Sequence, residues 1–107
     1  MPYVYILRCH DGSYYVGSTA RTPEQREWEH NNVDELSAHH TRKRRPVYLV
    51  YTEVFDRLDS AAHREKQLHG WSRAKKEALI AGRVEELQTL SRPRGGPSTG
   101  SGAGVGG

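Results

Sequence analysis

Cysteine, phenylalanine and methionine each occur once in the 107 residues of this chain. A single cysteine, Cys9, excludes an internal disulfide framework and leaves no Cys-x-x-Cys pair for zinc. No apolar run is long enough to span a bilayer, and no signal-peptide pattern opens the sequence. These absences point to a reducing, cytoplasmic setting and no membrane. Acids are missing from the end of the chain: all 13 lie before residue 91, as do all of the 16 Lys and Arg except Arg92 and Arg94. The net charge of +3 is therefore only about +1 over that part, which excludes a polycation that coats nucleic acid. A nucleic-acid partner would have to meet a local basic patch, and one is present in His39-His40-Thr41-Arg42-Lys43-Arg44-Arg45. From Ser91 the core-forming residues run out as well, since RPRGGPSTGSGAGVGG offers one valine. Residues 91–107 are expected to be a disordered Gly/Pro/Ser-rich tail, leaving 1–90 as one small domain.

What is present reads as an α+β domain with the order ββαβαα, a small three-stranded sheet flanked by helices. YVYILR (3–8) and YYVGS (14–18) are strands joined at His10-Asp11-Gly12, and PVYLVYTEV (46–54) is a third. Loop length in the hairpin matters. A two-residue Asp-Gly turn sets Tyr5 and Tyr15 on opposite faces. A three-residue His-Asp-Gly loop with Gly12 left-handed pairs Tyr5 with Gly17 and Leu7 with Tyr15, all on one face. Thr22-Pro23-Glu24-Gln25 starts a helix that runs to about Asn31, and a loop follows through the basic run. Asp59 or Ser60 caps a helix that stops near His69 at Gly70. Ser72 caps another that ends at Gly82, and Arg83–Leu90 adds a last helical turn or two.

Several residues could carry chemistry. Tyr5 and Tyr15 are phenols, able to move a proton if their pKa is tuned. Gly17 is out of place in a strand, because it packs nothing, so something must approach closely there. Arg26 and His30 share one face of the first helix at i,i+4, a guanidinium for phosphate beside an imidazole for protons. Glu65 lies at helical spacing from Ala61 and Leu68, on the side that should turn inward. A carboxylate there needs either an arginine such as Arg64 or Arg26, or a cation.

Tyr3-Val4-Tyr5, Tyr15-Val16-Gly17, the Arg26/His30 helix and Glu65 within HREKQLHGWSR together resemble the GIY-YIG nuclease superfamily, in its small stand-alone branch. The resemblance spans about residues 2 to 82. It implies an endonuclease, a phosphodiesterase dependent on Mg²⁺ or Mn²⁺ held by Glu65. It implies Tyr5 or Tyr15 activating water, His30 in the proton path and Arg26 on the phosphate. Gly17 opposite Tyr5 would leave a gap for that phosphate. His40, Arg42, Lys43, Arg44, Arg45, Lys66, Arg73 and Lys75 are further candidate nucleic-acid contacts. The partner is DNA ahead of RNA, the protein a monomer or weak dimer, and DNA repair one setting beside recombination, competence and RNA turnover. Tyr3 replaces the first glycine of the family tripeptide, and no asparagine follows Glu65 where the family often has one. No helix-turn-helix or zinc finger accompanies the domain, which favours strand- or structure-dependent cutting over sequence specificity. The alternative is a non-catalytic nucleic-acid-binding module, for which Glu65 would be a repulsive liability. A protein-interaction module is a third reading.

Overall fold

A computed structural model describes residues 1–91. It divides into two compact units, one of residues 1–70 and one beginning at Trp71. The first holds an antiparallel sheet of three strands, β1 (Tyr3–Cys9), β2 (Tyr14–Thr19) and β3 (Val47–Val54), in the order β2-β1-β3. Helices α1 (Pro23–Asn32), α2 (His39–Arg42) and α3 (Leu58–His69) flank it. The second unit carries α4 (Arg73–Ala81) and α5 (Val84–Ser91). This is the expected α+β architecture. No helix among the described residues is long and apolar enough to cross a membrane.

The hairpin takes the three-residue loop. Gly12 has φ 87°, a left-handed conformation that glycine adopts without a Cβ clash. Its amide bonds to the Cys9 carbonyl at 2.9 Å. The register is Tyr5 opposite Gly17 and Leu7 opposite Tyr15. Tyr5, Leu7, Cys9 and Val47 form a buried cluster on that face, with Tyr15 and Leu49 packed against it. An irregularity between Ile6 and Leu7 in the β1–β3 register brings Leu49 opposite Leu7 and Val47 opposite Cys9. The extra β3 residue is what moves these two side chains under the cluster.

Thr22 caps α1 as its sequence predicts, its side chain accepting from the Gln25 amide at 3.2 Å, with Pro23 at the first position. The helix lies beside β3 and ties down its outer edge. The Asn31 side chain both accepts from the Val47 amide at 2.8 Å and donates to the Val47 carbonyl at 2.9 Å. Glu27 accepts from the Leu49 amide at 2.7 Å. These bonds occupy backbone groups that an edge strand otherwise leaves open.

Two expectations about the helices need correction. The stretch expected as loop contains a 3₁₀ turn at Asp34–Leu36 and the single turn α2. Neither Asp59 nor Ser60 caps α3: the helix starts at Leu58, and Arg57 stands at the cap with no side-chain bond. Asp59 instead receives the Arg57 guanidinium at 2.9 Å. Gly70 does end α3, yet in right-handed geometry at φ −83°, whereas Gly82 ends α4 in the left-handed region at φ 75°. Ser72 caps α4 as expected, accepting from the Lys75 amide at 3.2 Å. Ser91 is the last residue of α5, and the tail from 92 to 107 lies outside the described residues.

Candidate active site

The hairpin register fixes the centre of the site. Tyr5 is 1% exposed and its ring lies over Gly17. A Cβ at position 17 would stand 2.5 Å from the Tyr5 hydroxyl oxygen and 2.6 Å from its Cζ. That answers why a glycine interrupts the strand, and it corrects the sequence reading. The room left by Gly17 is filled by the phenol of Tyr5, so it is no open gap for a phosphate.

α1 brings His30 to the same place. The imidazole is fully buried, with Nε2 3.1 Å from the Tyr5 hydroxyl and 3.2 Å from Nη2 of Arg26. The Tyr15 ring packs against it with centroids 5.2 Å apart. Thus Tyr5, Tyr15, Arg26 and His30, distant in sequence, form one cluster. Two residues that the sequence reading missed hold it. Thr41 of α2 has its Oγ1 2.8 Å from His30 Nδ1. Glu29 is buried and accepts from Arg26 at 2.6 Å, and it also pairs with Arg21 at 2.8 Å. The Arg26–Glu29 spacing of three was a signal available in the sequence. Nothing in the sequence links Thr41 to His30.

Burial sets the electrostatics. It pushes the Tyr5 hydroxyl up to about 12, against the neighbouring Arg26, with the charges of Tyr15 and Glu65 adding to the rise. Tyr15 is raised too, by burial and then by Glu65. Burial drives His30 down to about 4, helped by the charge of Arg26. Arg26 itself loses by burial but is held above its ordinary value by Glu29 and Tyr5. Its hydrogen bond in turn keeps Glu29 below the usual carboxylate range. The resting cluster therefore contains a neutral phenol, a neutral imidazole and a permanent guanidinium.

Glu65 occupies a different setting. Ala61 and Leu68 of α3 are buried as their spacing predicts, but the Glu65 side chain is 28% exposed. Its partners are neither Arg26 nor Arg64: the latter pairs with Glu53 at 3.0 Å. Ser18, on the side of β2 opposite to Gly17 by strand alternation, donates to Glu65 Oε1 at 2.6 Å. His69 lies 3.3 Å from Oε2. Its charge still reaches both phenols. One oriented, water-accessible carboxylate fits Mg²⁺ or Mn²⁺, which take hard oxygen ligands and complete their shells with water and phosphate. Among the described residues no three His, Cys, Asp or Glu side chains gather to hold a metal by themselves.

The basic run is less available than its sequence suggests. Arg42 donates to the Asp34 carbonyl at 2.9 Å. Arg44 pairs with Asp11 at 2.9 Å. Arg45 pairs with Asp34 at 2.9 Å and donates to the His30 carbonyl at 2.7 Å. Three arginines thus fasten the α1–β3 connection, while Lys43 and, on α3, Lys66 are exposed. His40 has its Nε2 2.9 Å from the Ser13 hydroxyl and stacks on Tyr15 at 6.3 Å. In the second unit Arg73 pairs with Glu77 at 3.0 Å, and Lys75 stands 4.3 Å above the Trp71 ring.

Residues 1–78 match the family model described as the GIY-YIG catalytic domain. The chain belongs to the GIY-YIG family. Within it, the chain is similar to a UPF0213 protein of Staphylococcus saprophyticus, 46% identical over 79 residues, covering 74% of this chain and 93% of that one. A UPF0213 protein of Halobacterium salinarum is 46% identical over 80 residues, covering 75% of this chain and all of that one. A solution NMR structure of a UPF0213 protein from Bacillus halodurans is 36% identical, with a TM-score of 0.49, covering 83% of this chain and 94% of that chain. GIY-YIG is a nuclease family whose members generally depend on a metal, which agrees with the site's chemistry but leaves the substrate open.

Proposed function

We propose that this GIY-YIG protein is a metal-dependent endonuclease that hydrolyses phosphodiester bonds in DNA, preferring single-stranded or branched forms and acting as a monomer or weak dimer in the cytoplasm. The observation that carries the reading is the Tyr5–His30–Arg26 contact, with Nε2 of His30 3.1 Å from the phenol and 3.2 Å from the guanidinium. A structural core has no need to bury a phenol, an imidazole and a guanidinium against one another, because each loses hydration that must be replaced.

In the reaction, a water oxygen forms the new bond to phosphorus while the bond to the leaving oxygen breaks. The water's proton passes to Tyr5 as Tyr5 hands its own to Nε2 of His30. Tyr15, the more accessible phenol, lies on the substrate side. Arg26 contacts the phosphate oxygens and offsets charge in the pentacoordinate transition state. In the substrate-free protein burial holds the phenol up at about 12 and the imidazole down at about 4, so proton transfer from one to the other is strongly uphill. The proton therefore rests on Tyr5 until the charge around it changes. A divalent cation held by Glu65 would supply that change, screening the carboxylate that raises both phenols and stabilising the leaving oxygen.

The test is cleavage of end-labelled single-stranded, duplex and branched DNA, and of RNA, in Mg²⁺, Mn²⁺ or EDTA, comparing wild type with Glu65→Ala. The expected result is cutting that needs metal, is lost in the variant and is strongest on single strands or branches. Salt-sensitive binding without cutting by either protein would replace this reading with that of a binding module.

A further inference from the structure

We propose that Thr41 is a positioning residue that fixes the tautomer of His30, placing the imidazole proton on Nδ1 so that the Nε2 lone pair faces Tyr5. This deepens the proton path above and rests on it.

The assignment follows from donors and acceptors. Arg26 can only donate, and its Nη2 lies 3.2 Å from Nε2. Nε2 must therefore present a lone pair. The Tyr5 hydroxyl, 3.1 Å from the same nitrogen, is then a donor to it. In a neutral imidazole the proton is left for Nδ1, where a suitable acceptor is needed. Thr41 Oγ1 is that acceptor, 2.8 Å away. Its own hydrogen is committed elsewhere, to the Ala38 carbonyl at 3.0 Å. Both side chains are fully buried, so water does not substitute for either bond.

A competing group shows why the threonine matters. The Ala38 amide lies 3.4 Å from Nδ1 and would favour a lone pair there. The shorter Thr41 bond and the Arg26 constraint oppose that state, and they prevail together. Remove the threonine oxygen and Ala38 N–H is left facing Nδ1. The imidazole is then drawn toward carrying its proton on Nε2, aimed at a guanidinium and at the phenol it must relieve of a proton. Fixing a histidine tautomer through the nitrogen that does not react is a general way to orient the one that does. Arg45 and Ser37 steady the same segment, donating to the His30 carbonyl at 2.7 Å and 3.0 Å.

The experiment is long-range ¹H–¹⁵N correlation on the ¹⁵N-labelled protein near neutral pH, with His30 assigned by comparison with His30→Gln. Wild type is expected to show a pyrrole-like Nδ1 and a pyridine-like Nε2. A pyrrole-like Nε2 in wild type overturns the assignment, whether or not the protein cuts DNA. Thr41→Val is expected to move the population toward the Nε2 proton and to lower kcat about tenfold or more with KM little changed. Thr41→Ser, which keeps the oxygen, should restore both. If Thr41→Val keeps the wild-type spectrum or the wild-type kcat, Thr41 is not a positioning residue. Absence of cleavage by wild type would sink the nuclease reading while the spectra still decide the tautomer.

Discussion

Two parts of the site handle polar groups in opposite ways. Around His30 both ring nitrogens are partnered, the ring is 0% exposed, and Tyr5, Arg26, Glu29 and Thr41 interlock. Around Glu65 the carboxylate is 28% exposed and, among the described residues, bonds to Ser18 and His69. The first arrangement is closed around the imidazole: both of its nitrogens are committed in advance. The second is open, an oriented oxygen with lone pairs to spare. A proton relay needs the former, since a loose imidazole would find the wrong tautomer or the wrong partner. A cation site needs the latter, since water and phosphate must join the shell.

The contrast predicts that perturbations around His30 affect stability and activity together, whereas those at Glu65 affect activity with little change in stability. His30→Ala should show the largest stability effect. It leaves a cavity and strips partners from the buried Tyr5 and Thr41 and the half-buried Arg26, so chemical denaturation should report a loss of about 2–4 kcal/mol. Wild-type behaviour would mean that the closed network is not closed.

Acid is the next largest perturbation. His30 titrates near 4 when folded against an ordinary 6.5, so on acidification the unfolded chain takes up a proton before the folded chain does. Its contribution is fully present above the ordinary value and is lost as pH falls through that window, in all about 3 kcal/mol. Urea midpoints of wild type and His30→Gln across this range should converge on acidification. Parallel curves would contradict the buried neutral imidazole.

Gly17→Ala comes third. Its Cβ would collide with the phenol of Tyr5 at 2.5 Å, and moving a buried ring in a packed site costs about 1–3 kcal/mol. Cleavage should fall with it, because the displaced hydroxyl leaves Nε2 of His30. The smallest stability effect should be at Glu65. Glu65→Gln keeps the shape and an acceptor for Ser18, so the denaturation midpoint should move by no more than about 0.5 kcal/mol while metal-dependent cutting disappears. A large destabilisation there would erase the distinction between the two parts.

Much of this was legible in local sequence. The His10-Asp11-Gly12 loop left two registers for the strands it joins, and the left-handed Gly12 selects the one that pairs Tyr5 with Gly17. Thr22-Pro23 and Ser72 mark helix starts through bonds that span only three residues. Tyr5, Tyr15, Arg26, His30 and Glu65 could be singled out because their residue types and spacings suit one chemistry. The basic run illustrates the opposite case. Four consecutive cations read as a phosphate-binding patch, yet Arg44 and Arg45 reach back to Asp11 and Asp34, partners whose proximity no local pattern announces.

The sequence by itself determined the strands, most helix ends and the set of side chains with chemical potential, and it narrowed the hairpin to two registers, since each depends on residues a few positions apart. Only the tertiary structure decided how those side chains are used. It filled the space beside Gly17 with Tyr5, gave His30 to Thr41 and left Glu65 open beside Ser18. Each of these pairings is set by packing between separate elements. In each, the energy of a buried polar group depends on which partner the fold delivers to it.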